Sequence, residues 1–145
     1  MNQPLHRTVR DLAGKVAHLH SAGRRAVGLV IGKKLEDHGP DLPLVVIPDD
    51  PRFERAVVAS RAESNVLSYV ELEIAEDSRP KVDDLANHFG RYSAPPRVHP
   101  DSEEQIVFRE PIATAITLIA TVVTKSGNMG DAVARSVILR YDGTP

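Results

Sequence analysis

Two groups of side chains in this sequence have the types that metal-assisted or hydrolytic chemistry uses. His99 stands in a proline-rich stretch with Asp101, Glu103 and Glu104 close behind it, an imidazole beside hard oxygen donors that suit a divalent cation. His38 lies in a second acidic stretch with Asp37 and Asp41, where a carboxylate could orient an imidazole acting as a base. Closeness along the chain does not supply convergence in space, so these groups define the alternative reading, a small metal-assisted or hydrolytic enzyme. His18 and His20 are excluded as a ligand pair, because positions two apart on a helix point about 200° from each other. His20 falls at the edge of an apolar stripe and is expected to pack, whereas His18 is expected in solvent. With no cysteine the chain has no thiolate ligand, no cysteine nucleophile and no disulfide, and no cofactor is expected.

Three shorter strings have the look of motifs and lack their chemistry. Gly28-Leu-Val-Ile-Gly32-Lys33-Lys34 has three residues between its glycines where a phosphate loop needs four, and Lys34 replaces the hydroxyl that would hold magnesium. Ser78-Arg-Pro-Lys81 has the Ser-x-x-Lys spacing of serine acyl-transfer sites, and Lys125-Ser126-Gly127 is a weak match to their later element. Pro80 suits a first helical turn, however, so Ser78 is expected to spend its hydroxyl as a helix cap. No Gly-x-Ser-x-Gly elbow is present.

Charge is the stronger signal. Residues 1–34 carry Arg7, Arg10, Lys15, Arg24, Arg25, Lys33 and Lys34 against Asp11 alone, a net of +6, and the remaining residues carry a net of −8. A basic end on an acidic body can steer an anionic partner or dock on a second copy of the same chain. These seven cations are the candidate binding residues. Specific nucleic-acid reading is not expected: the basic segment holds no aromatic residue to stack on a base, and the overall isoelectric point is near 6.3. The composition resembles that of bacterial immunity proteins, secretion chaperones and assembly components, which points to a non-enzymatic binding or accessory protein. The implied partner is a protein with an acidic surface, or a second copy in a homodimer.

The elements that must position these residues read as one soluble α+β domain of 145 residues, basic over 1–34 and acidic over 35–145. Leu5, Val9, Leu12, Ala13, Val16 and Leu19 share a stripe about 120° wide, which predicts an amphipathic helix over residues 4–22. Ala26–Ile31 and Leu44–Ile47 read as a strand pair in a hairpin. Asp50-Pro51 reads as the start of a helix through Ser60. A strand follows at Val66–Ile74, then a helix from Ser78 to Gly90 with Val82, Leu85, Ala86 and Phe89 inward. Residues 91–103 should be extended. Ile106–Phe108, a central strand at Ile112–Thr124 and a return strand at Val133–Tyr141 complete a mainly antiparallel sheet of five to six strands. In that return strand Val133, Val137, Leu139 and Tyr141 are expected on one face, and Ala134, Ser136 and Arg140 on the other. No internal repeat stands out. No apolar run reaches the roughly 18 residues of a membrane span, the N-terminus does not read as a secretory signal, and the cytoplasm is the expected compartment.

Overall fold

In the computed structural model, which describes residues 3–96, 103–124 and 128–144, the N-terminal stripe is a helix, α1 (Leu5–His18), that buries Val9, Ala13 and Val16. It stops at His18 instead of near residue 22. Beyond Leu19 the chain leaves the helix so that the His20 carbonyl can accept the Leu67 N–H at 2.8 Å. Gly23, at φ +100°, does not close α1 but opens the next helix, α2 (Arg24–Ile31).

That helix replaces the strand expected at Ala26–Ile31. Val27 and Ile31, four residues apart, fall on one helical face with Gly28, and all three are buried. Burial against a sheet outweighs the β preference of the valines and isoleucine. The close backbone approach expected at the glycines is real. A Cβ on Gly28 would stand 3.0 Å from Leu44 and 3.1 Å from Val46, and one on Gly32 would stand 2.0 Å from the Ile47 carbonyl oxygen.

The hairpin partner of β2 (Leu44–Ile47) is therefore β1 (Lys34–Glu36), which begins after the helix. The helix expected from Asp50 is instead β3 (Phe53–Ser60). Asp50 accepts the Arg52 backbone N–H at 3.0 Å and closes a turn, rather than capping a helix. Both faces of β3 carry apolar residues: Ala56 and Val58 point one way, Val57 and Ala59 the other. This double-sided pattern hides the period of two and imitates helical spacing.

β4 (Leu67–Ile74) is followed by a short 3₁₀ turn at Glu76–Ser78 and then by α3 (Val82–Phe89), which buries Val82, Leu85 and Phe89 and ends at Gly90 with φ +89°. Ser78 is not its cap. Lys81 holds the cap position and its N–H donates to Asp84, while the Ser78 hydroxyl donates to Asp77. Of the residues expected to be extended after α3, 97–102 lie outside the described residues; before them stands β5 (Tyr92–Ser93), and β6 (Glu104–Phe108), β7 (Ile116–Val123) and β8 (Val133–Tyr141) follow. β7 starts four residues later than expected because Ile112–Ala115 folds back on it, with Ala115 at φ +59°.

The strands form one antiparallel sheet of eight, ordered β1-β2-β3-β4-β8-β7-β6-β5, more than the five to six expected. β1–β4 and β5–β8 are two meanders joined along β4 and β8, so the topology repeats where the residues do not. β7 is interior, flanked by β8 and β6, but the seam between β4 and β8 is the centre. A register shift between Thr121 and Val122 makes Arg135 the extra residue of a bulge in β8. The bulge reverses the expected facing at the strand's start: Ala134 points inward with Val137 and Leu139.

All three helices cover one face. α2 lies over Leu35, Leu44 and Val46, Phe89 of α3 meets Phe108 edge-on at 5.8 Å, and Arg10 of α1 spans to Phe89 with its guanidinium 5.1 Å from the ring centre. Under them Leu72, Ile74, Ile106, Leu118 and Leu139 are fully buried in one continuous cluster. Among the described residues no helix is long and apolar enough to cross a membrane.

Candidate binding surface

The seven N-terminal cations divide into three groups once α1 and α2 are in place. Arg24 and Arg25, at the start of α2, both reach Asp37 at 3.2 Å. Arg24 also donates to the carbonyls of Gly39, at 2.7 Å, and Leu42, which fastens the 37–42 turn to the helix. The Gly39 N–H, and after it the two guanidiniums, hold the Asp37 carboxyl below the usual aspartate range. These two arginines are therefore structural.

Arg10 is committed differently. Its Nη2 donates to the His88 carbonyl at 3.1 Å, so it links α1 to the C-terminal turn of α3, where a cation complements the helix dipole. Beside it the rings of His6 and His88 stack with centroids 3.4 Å apart. Loss of solvent around the His6 ring, and then the neighbouring His88, Arg7 and Arg10, push its pKa below the ordinary histidine value.

Arg7, Lys15, Lys33 and Lys34 are exposed, and among the described residues they form no ion pair. Lys15 lines a groove of about 500 Å³ between α1 and α2, whose floor is Gly14, Leu19 and Val30 and whose rim is Arg10, Asp11, Lys15 and His18. Next to Val30, Leu29 is 58% exposed, more than any other large apolar side chain among the described residues. An apolar floor beside the cations Arg10 and Lys15, with Asp11 the one acid on the rim, can take an apolar side chain flanked by an acid.

The histidine–acid groups are resolved unequally. His99 and Asp101 lie outside the described residues, as do Lys125, Ser126 and Gly127. Glu103 forms an ion pair with Arg135. His38 approaches Glu36 at 3.8 Å, and Asp37 is occupied by the two arginines. Among the described residues no three of His, Asp and Glu converge as metal ligands would. His20 packs on the Tyr141 ring at 4.5 Å with Nδ1 2.8 Å from the Ala17 carbonyl, and His18 is exposed.

Sequence reasoning missed Leu29 and Val30 as surface residues because it placed them in a buried strand. A helical reading of residues 24–31 sets Leu29 four positions after the exposed Arg25. It also missed Arg52, whose guanidinium joins the Gln3 carbonyl at 2.7 Å, the Thr8 hydroxyl at 2.8 Å and Asp50 at 2.7 Å, and so anchors the start of α1. No family model, curated protein or solved structure matches the chain.

Proposed function

We propose that this chain is a small non-enzymatic binding or accessory protein, of the immunity, chaperone or assembly kind, whose α1–α2 surface docks an acidic surface of another protein. The observation that carries this reading is the α1–α2 groove, with its apolar floor of Gly14, Leu19 and Val30 under the cations Arg10 and Lys15. Exposed Arg7, Lys33 and Lys34 widen the positive field and speed encounter, and the groove with the exposed Leu29 supplies the apolar contact that sets residence time.

The test is cross-linking through Lys15 and Lys33 in the native host, followed by affinity measurement on the captured partner. Lys15→Glu with Lys33→Glu should weaken binding at least about tenfold at low salt, with the difference narrowing at high salt. An affinity that ignores both charge reversals and salt would overturn the reading.

A further inference from the structure

The face of the sheet away from the helices carries none of α1–α3, yet it is not built like a solvent face: Ile119, Thr121 and Ser136 on it are 7%, 2% and 0% exposed. Antiparallel sheets that meet water on one side alternate apolar and polar residues cleanly. Here the register lines up Val45, Val57, Glu71, Ile138, Ile119 and Val107 as one row running across six strands. Ile47 and Val123 share this face and are 45% and 42% exposed. The rows on either side are mainly polar, apart from Ile47 at the end of one and Ala59 in the other, and their charges are already matched within the chain: Arg55 with Glu73, Arg140 with Asp142. Glu71, the one charge in the apolar row, has the Ser136 hydroxyl 3.5 Å from its carboxylate. An apolar strip between polar margins is the anatomy of a protein interface.

We propose that this open face packs against the same face of a second copy, making a symmetric dimer with two sheets inside and the helices outside. Its extent fits. The six strands that the row crosses, at about 4.8 Å each, and three side-chain rows amount to roughly 600 Å² per copy, above the about 500 Å² per partner that a specific interface has to clear. Its pattern also fits. A two-fold axis along the β4–β8 seam lays each row on itself in reverse, so Val45 meets Val107 and Val57 meets Ile119 of the second copy, while Glu71 comes to lie against Ile138 of the second copy. Tyr69 then faces Arg140 of the second copy, and Glu71 gains that guanidinium as a neighbour. Pairing through the sheet edges is disfavoured, because β1 is three residues long with Lys34 and Glu36 exposed, and β5 is two residues long. The dimer leaves the α1–α2 surface of each copy free and does not depend on its use.

Sedimentation velocity on the full chain at micromolar concentration should give twice the chain mass at both low and high salt, since the flanking charges are internally paired. Ile138→Arg should give a monomer. Ile47→Arg with Val107→Arg, at the two ends of the three rows and away from the core beneath the helices, should weaken association at least about tenfold, and this pair decides if Ile138→Arg fails to fold. A wild-type monomer at every concentration, a dimer that survives the Ile47 and Val107 changes, or a dimer lost instead on Lys15→Glu or in salt would overturn the proposal. Of these, a monomer that still binds its acidic partner would leave the functional reading intact.

Discussion

At the scale of residues, the glycines separate positions that look alike in the sequence. Gly14 and Gly32 both sit in the basic segment, but a Cβ on Gly14 meets nothing within 4 Å, whereas one on Gly32 lands 2.0 Å from the Ile47 carbonyl oxygen. Backbone cannot yield as a flexible side chain can. Gly32→Ala should therefore cost about 1–3 kcal/mol or more, as overpacking does. Gly14→Ala, in the exposed middle of α1, should raise stability by about 0.5–1 kcal/mol through lower backbone entropy in the unfolded chain. Urea denaturation of the two variants checks both signs; equal effects would show that the approach of α2 to β2 is not rigid. The sequence showed that Gly32 was special, since it interrupts an apolar run before two lysines, but not which backbone comes close.

At the scale of elements, the contact between α1 and α3 should weaken in acid. Folding lowers the pKa of His6 from its ordinary 6.5, first through loss of solvent and then through His88, Arg7 and Arg10. The unfolded chain thus binds the proton more readily than the folded one. The stability held by the stack is complete above pH 6.5 and falls as the pH drops from there towards the lower folded value. Thermal melts between about pH 7.5 and 5.5 should show the decline. His6→Phe, which keeps an aromatic ring on His88, should flatten it. An unchanged slope in that variant would place the pH dependence elsewhere. The helices α1 and α3 were themselves readable, from stripes of valine, leucine and phenylalanine at helical spacing. That His6 and His88 meet was not, because they stand 82 positions apart in the chain with four strands between them.

At the scale of the whole molecule, two meanders share one core across the β4–β8 seam. Leu72 is fully buried there and pairs across strands with Ala56 on one side and Val137 on the other. Leu72→Ala should cost about 2–5 kcal/mol. Because the cluster is continuous, amide hydrogen exchange should accelerate in both meanders together. Acceleration confined to β1–β4 would mean that the halves unfold as separate units. The topological repeat was invisible to sequence inspection, since packing asks only for apolar residues of suitable size at inward positions, and the two halves meet that need with different residues.

The sequence by itself determined what depends on neighbours along the chain. The periods of three to four and of two gave α1, α3, β4 and β8, runs of branched apolar residues gave β2, β6 and β7, and the mixture of types gave an α+β protein with a basic end. Tertiary structure decided the rest. Ala26–Ile31 became a helix and Phe53–Ser60 a strand, because runs apolar on both sides satisfy either period until a facing surface selects one. It also divided the basic residues, drawing Arg24 and Arg25 to Asp37 and Arg10 to α3 while leaving Lys15 at an apolar groove. Charge along a chain fixes the sign of a surface, but which charges remain for a partner depends on the pairs that folding makes first.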